Sequence, residues 1–485
     1  MSIATFPNEE MPKQEALYWK VEATEERLQE YGTARITAAV TGKFDVRNAP
    51  VSGQSHLVMR IDRLRLTGFR CFEQAEFEFA PQFNLIVGDN GAGKTSILEA
   101  LAVAAGSWLL GIRGFDQRHL LASDVRVRPQ GSNGDFRFEE VEQTEVWARG
   151  VVQSEALQWE RALRGRKGRT TTKEASTIRE IAESHAQSVR NGQDTALVLP
   201  LISYYGTGRL WNIPRDIKKA LKEKRSKPSR LDGYRNSVDP RCSPADFMKW
   251  LSRQEWIAFQ EGAEPPICTA VKQAVVGCLE DGKRIWFSAK QEQVLVEFGN
   301  QGIHAFDQLS DGQRNMVAMV GDIAIKAALI NSNLGSRAVE ETPGVVLIDE
   351  LDLHLHPKWQ RRVVADLKRT FPKIQFFCTT HSPQIIGEVP REAVHVLGAD
   401  GSQPAPVAYG ADSNWILEHV MGAAQRSAPA TELIHDVEDA LEEGDLESAK
   451  QELKKLRFKV GSEEGEVARL EGSIRNMEAL ANEED

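Results

Sequence analysis

The sequence holds 485 residues, of which 41% are hydrophobic and 27% charged. That is enough chain for two or three domains around a large core. No run of eighteen apolar residues occurs, and residues 1–20 lack a basic start followed by an apolar stretch, so neither a membrane-spanning helix nor a secretory signal is expected. The net charge of −10 is carried by the segment from Glu432 to Asp485, which has 17 acids and 7 bases; the rest is balanced, so an acidic pI says little about what the body binds.

In chain order, residues 1–56 read as an N-terminal extension, with helical periodicity from Gln14 to Glu30 and a linker at Val51 to Ser55. Residues 57–210 read as a first lobe. It opens with the alternating strand Val58 to Leu66, and Phe83 to Val87 is a continuous apolar strand suited to a sheet centre. Gly88-Asp89-Asn90-Gly91-Ala92-Gly93-Lys94-Thr95 follows, and a helix is expected over Gly93 to Leu109. This is GxxxxGK[ST] between a strand and a helix, the context in which glycines expose backbone N–H groups to phosphates at a helix N-terminus. Lys94 supplies a point charge, the Thr95 hydroxyl an Mg²⁺ ligand, and Gly88, Asn90, Gly91, Gly93 and Ser96 complete the expected ATP cradle.

Alternating segments at Phe136 to Phe138, Thr144 to Val152 and Leu157 to Leu163 predict an antiparallel β subdomain. Residues 211–282 read as a helical basic insertion, with helices over Lys218 to Arg225 and Phe247 to Phe259. Ten bases against three acids lie between Arg209 and Arg235; a second run contains Arg161, Arg164, Arg166, Lys167, Arg169 and Lys173. Both could line a nucleic-acid backbone, although a solvated helix face and a hairpin tip explain such runs equally well.

Residues 283–412 read as a second lobe. Strands are expected at Arg284 to Phe287 and Val294 to Phe298. Leu309-Ser310-Asp311-Gly312-Gln313 then opens a long apolar helix from Gly312 to Asn331. Ser310, Gly312 and Gln313 stand at a helix N-terminus, a place for an anion, although a plain Ser310 cap would give the same pattern. Val345 to Ile348 leads into Asp349 and Glu350: an apolar strand ending in two acids, with Asp349 placed for Mg²⁺ and Glu350 as general base. Asp352 follows, and His381 stands after the strand Gln375 to Thr379, in position to sense a γ-phosphate. His354 and His356 lack further metal ligands nearby and read as packing residues. Residues 413–485 read as an acidic helical module with apolar stripes at Leu446, Ala449, Leu453 and Leu456, and at Val467, Leu470, Ile474 and Met477. Cys71, Cys242, Cys268, Cys278 and Cys378 are widely spaced, which argues against disulfides or zinc and for a reducing cytoplasm.

This order of motifs, together with Leu66-Thr67-Gly68-Phe69-Arg70, resembles the ABC-type ATPases of the SMC, RecF and OLD class over roughly residues 57–412. The resemblance implies a mixed α/β head with an antiparallel β subdomain, and ATP with Mg²⁺ as cofactors. It implies a homodimer in which Ser310 of one chain closes on ATP held by the other. No sustained heptads separate the P-loop from the signature, so a short-armed head is expected. Tyr204 to Trp211, Ser229 to Tyr234, Glu350 to Pro357 and Asn414 to Leu417 resemble PtuA-like ATPases of Septu and retron-associated anti-phage defence. That implies an HNH-type nuclease partner, in retron versions a reverse transcriptase with its DNA–RNA product, contact with nucleic acid, and no membrane. Two departures stand out: a Q-loop glutamine is missing, with Tyr204 to Arg209 in its place, and Leu351 stands where the family often has proline. No His-Asn-His cluster occurs, and residues 413–485 are too short for a Toprim nuclease, so any cutting is expected from a partner. A RecF-like repair clamp without a nuclease, and a transporter ATPase, are the competing readings.

Overall fold

The computed structural model describes residues 59–483, except 131–136, 154, 165–167, 193–195, 210–228, 242–243, 399–400, 405, 407 and 462–464. The expected N-terminal extension, the expected helix over Lys218 to Arg225 and most of the longer basic run therefore lie outside the described residues.

Strands buried on both faces must be apolar throughout, and the chain supplies several. β3 (Phe83–Gly88), β12 (Gly344–Ile348) and β13 (Ile374–Thr379) are buried almost end to end, as is β8 (Leu201–Tyr205). They form the centre of a six-stranded sheet in the order β15-β14-β3-β13-β12-β8, with β14 at Val394–Gly398 and β15 at Gly401–Pro404. All neighbours pair in parallel except the edge strand β15. In this order β3 and β12 flank β13, so the chain's first phosphate loop and its later acidic strand end emerge on the same sheet edge.

Of the segments expected in a β subdomain, Thr144 to Val152 and Leu157 to Leu163 lie in an antiparallel sheet in the order β2-β1-β6-β7: Phe72–Glu78, Met59–Phe69, Gln143–Val152 and Glu155–Arg164. The remaining segment overlaps β5 (Arg137–Glu140), which pairs with β4 (Val127–Gln130) in a separate two-stranded sheet. Along β1 the buried positions run Met59, Ile61, then Leu64 and Leu66. The change of phase comes from a register shift against β6 between Ile61 and Arg63, which re-aims the apolar face. Helix α1 (Lys94–Ala105) packs against both this sheet and the central one, which is why Ile97, Leu98, Leu101 and Val103 are all fully buried. It stops at Ala105, short of the expected Leu109, and Trp108–Gly111 continues as a 3₁₀ turn.

A third sheet, β11-β10-β9, joins Gly302–Ala305, Gln293–Phe298 and Gly282–Ser288. The longer of the other helices of the head are α2 (Ser176–Asn191), α3 (Pro244–Glu261), α4 (Pro266–Gly277), α5 (Asp311–Ile330), α6 (Val363–Thr370) and α7 (Ser413–His419). α3 and α4 both pack on α5.

The last three helices, α8 (Ala428–Glu442), α9 (Leu446–Val460) and α10 (Gly465–Glu483), form a bundle with its own core. Ile434, Val437, Ala440, Ala449, Leu453, Leu456, Val467, Leu470 and Ile474 bury one another there, separately from the core of the head. The apolar stripes seen in the sequence are thus spent within the module.

Candidate nucleotide site

The P-loop leaves the end of β3 and turns into α1 through Gly91 and Gly93, both at positive φ. Gly93 has φ +100°, and a Cβ there would stand 2.6 Å from Cys71 Sγ and from Phe72 Cζ in the turn between β1 and β2. Gly91, also left-handed at φ +86°, faces open space. Lys94 is buried, and its Nζ donates to the carbonyls of Gly88 at 2.7 Å and Asp89 at 2.9 Å, so its charge is held inside the loop. Burial lowers its pKa, opposed in turn by Asp349, Asp89, Glu350 and Asp352. Asn90 is exposed on the loop, and Ser96 is half-buried in the first turn of α1.

Beside it β12 ends in Asp349, whose two carboxylate oxygens are both engaged by hydroxyls. Thr95 Oγ1 donates to Oδ2 at 2.9 Å, and Thr379 Oγ1, from the end of β13, donates to Oδ1 at 2.6 Å. Thr95 and Asp349 are hard oxygen donors already side by side, the donor set that fits Mg²⁺. Glu350 has a left-handed backbone, φ 49°, rare for a residue with a side chain. Its N–H donates to Thr379 Oγ1 at 2.7 Å and its carbonyl accepts from Arg209 at 2.9 Å.

The signature begins α5. Ser310 and Gln313 cap the helix reciprocally: the Gln313 N–H donates to Ser310 Oγ at 3.3 Å, and the Ser310 N–H donates to Gln313 Oε1 at 2.9 Å. The cap expected of Ser310 is thus present. Ser310 is exposed, and a Cβ on Gly312 would stand 2.4 Å from the carbonyl oxygen of His354, so the signature glycine lies against the loop after β12. Asp352 in that loop accepts from Thr380 Oγ1 at 2.6 Å and from the His381 N–H at 3.2 Å, tying the loop to the half-buried histidine.

Several expectations change. His354 and His356 are both exposed, and His356 caps a short helix by accepting from the Lys358 N–H. Arg161 and Arg209, counted among the bases for a nucleic-acid face, are 0% and 1% exposed and cannot reach a phosphate backbone. Arg161 donates to the Thr171 carbonyl, and Arg230 to that of Ile330. In the place of the Q-loop, Tyr204 donates its hydroxyl to Glu99 at 3.4 Å, and burial pushes its pKa far up. The residues the sequence reading missed are Thr379, Thr380, Arg209 and Asn315. Hydroxyls at the end of a buried strand were a signal for the threonines; Arg209 was marked only as a base and as the end of the Tyr204 to Arg209 segment, and nothing local marked Asn315.

A family model described as an AAA domain matches residues 63–241. The chain is 23% identical over 399 residues to the retron Vc95 probable ATPase of Vibrio cholerae, covering 70% of this chain and 73% of that protein. It is 39% identical over 134 residues to the retron Ec83 probable ATPase of Escherichia coli, covering 27% and 24%. It is 26% identical over 330 residues to the Septu protein PtuA of Bacillus mycoides, covering 67% and 38%. The match thus spans most of the first relative's length but less than half of the other two. Among solved structures, an SMC head bound to the C-winged helix domain of ScpA aligns with a TM-score of 0.42 at 17% identity, over 71% of this chain and 96% of that one.

Proposed function

We propose that this chain, an ABC-type ATPase of the SMC and RecF class, is the switch subunit of an anti-phage defence complex, closing head to head around ATP and controlling a separate HNH-type nuclease. The ATPase class rests on the matched AAA domain and on the named ATPase relatives. The defence role rests on the retron and Septu names of those relatives, and the nuclease, the reverse transcriptase and nucleic acid enter only through that likeness. The RecF reading has support from a match of 47 residues, 10% of this chain.

In this reading Lys94 and the P-loop amides bind the β- and γ-phosphates, while Thr95 and Asp349 hold Mg²⁺, which supplies charge neutralisation when bound. Glu350 polarises the attacking water, and Asp352 and His381 report the γ-phosphate. The observation that carries the dimer is Ser310: it is exposed at the start of α5, and its hydroxyl, which accepts from the Gln313 N–H, keeps its own proton to donate to a partner's phosphate.

Mixing two dead variants tests it. Lys94→Ala chains and Ser310→Arg chains should each lack ATPase activity, yet their heterodimer places both lesions on one site and leaves the other intact. Some activity should return on mixing. If tagged subunits exchange and no activity returns, independent shared sites are the wrong model. Lys94→Ala should also abolish phage protection in cells that the wild-type chain and its proposed partners protect; full protection would remove ATP from the defence role.

A further inference from the structure

The signature helix α5 is apolar on most of its buried surface, yet one line of it is polar. Asn315, Asp322 and Lys326 are spaced by seven and four residues, so they share one face. Lys326 pairs with Asp322 at 2.8 Å and donates to Ser203 Oγ at 3.2 Å. The Tyr205 hydroxyl donates to Asp322 Oδ2 at 2.7 Å. Ser203 and Tyr205 are two apart on β8 and so face the same way. Apolar residues would fill this seam at lower cost; polar pairs in such a place fix register.

At the signature end the line reaches Arg209, just after β8. Its Nε donates to Asn315 Oδ1 at 2.8 Å. Its remaining nitrogens donate to the Gly206 carbonyl at 3.1 Å, the Asp349 carbonyl at 2.7 Å and the Glu350 carbonyl at 2.9 Å. Asn315 passes the link on, its Nδ2 donating to the Leu353 carbonyl at 3.1 Å in the loop after β12. Only a planar fork with five donors spans this set of acceptors from one buried side chain. The Glu350 peptide, left-handed at φ 49°, is thereby held from both sides, by Thr379 at its N–H and by Arg209 at its carbonyl.

We propose that Arg209, through Asn315, is a positioning residue for ATP hydrolysis: it locks the signature helix to the backbone of Asp349 and Glu350, so that Glu350 is aimed when α5 is seated. This rests on reading Glu350 as the general base. A helix that meets one nucleotide and a strand end that serves another are joined inside one chain by a single guanidinium.

The test uses the full chain with Arg209→Lys and Asn315→Ala, and Glu350→Gln beside them. Lysine keeps the charge but cannot span the carbonyls and Asn315; alanine leaves Arg209 on the strand end and cuts it from the helix. Turnover should fall by about 100-fold for Arg209→Lys and about tenfold for Asn315→Ala, the scale of a misaimed catalytic group, with the ATP dissociation constant within about twofold of wild type. Unchanged turnover in either folded variant overturns the proposal. So does a matched loss of ATP affinity and melting temperature with turnover, which marks a residue that only holds the fold. If Arg209→Lys fails to fold, Asn315→Ala decides. Wild-type turnover in Glu350→Gln would instead refute the reading of the base, whatever Arg209 does.

Discussion

At the scale of single residues the site is shaped by where a side chain cannot go. Gly93 combines φ +100° with a Cβ path closed at 2.6 Å by Cys71 and Phe72, whereas Gly91 is left-handed at φ +86° with nothing within 4 Å. Alanine at either position pays left-handed strain of about 1–2 kcal/mol, but only at Gly93 must the Cys71 and Phe72 side chains or the loop also give way. Gly93→Ala should therefore weaken ATP binding by tenfold or more, and Gly91→Ala by clearly less, in calorimetric titrations. Equal losses would mean that strain alone, and not the turn behind Gly93, shapes the loop. The same logic separates the arginines. Arg161 and Arg209 look alike in sequence to bases that contact phosphate, yet burial turns both inward to carbonyl oxygens.

At the scale of elements, the central sheet carries a buried histidine that ties its stability to pH. His395 on β14 lies 7% exposed beside β3, its Nε2 3.1 Å from Asn84 Oδ1, with Phe79 packed edge-on at 5.2 Å. Asn84 spends its own donors on the Ala80 and Phe376 carbonyls, so the ring donates and Oδ1 accepts. Burial lowers the His395 pKa from 6.5 to about 4. Between those values the unfolded chain takes up a proton that the folded chain refuses, so this contribution is complete above the unfolded value and is lost as pH falls through the window. The loss is of the order of 3 kcal/mol by pH 4. Urea midpoints should drop from pH 7 to pH 4.5 in the wild type, and the drop should be shallower in His395→Gln. Parallel pH profiles would assign the acid sensitivity to other groups.

At the scale of the whole molecule, two hydrophobic cores divide the work. The head core runs from Met59 to Val420, and the bundle core from Ile434 to Ile474 shares no residue with it. A unit that buries its own apolar face does not need the head to fold. Truncation at Pro429 should leave the ATP dissociation constant and the head's melting temperature within about twofold and about 3 °C of the full chain, since no head core residue is removed. A large fall in either would show that the bundle supports the site. Co-purification of the truncated chain with the HNH-type partner proposed above then asks separately whether the acidic bundle is a docking module. Among the described residues no helix is long and apolar enough to cross a membrane.

The sequence by itself determined the elements whose chemistry is local. Gly88 to Thr95 reads as a phosphate loop because glycine spacing and a following helix need no distant partner, and an apolar run ending in Asp349 and Glu350 is a buried parallel strand wherever it lies. The reciprocal cap of Ser310 and Gln313 is likewise written in four consecutive residues. Tertiary structure alone decided what the long-range partners do. Thr379 holds Asp349 from 30 residues away, and Arg209 reaches Glu350 across 141. Whether an arginine faces phosphate or a carbonyl depends on burial, and burial is set by the packing of β8, β12 and α5 rather than by neighbours in sequence. The apolar stripes of the tail show the same limit: their period fixes a face on each helix, but only the meeting of α8, α9 and α10 shows that the three faces are spent on one another.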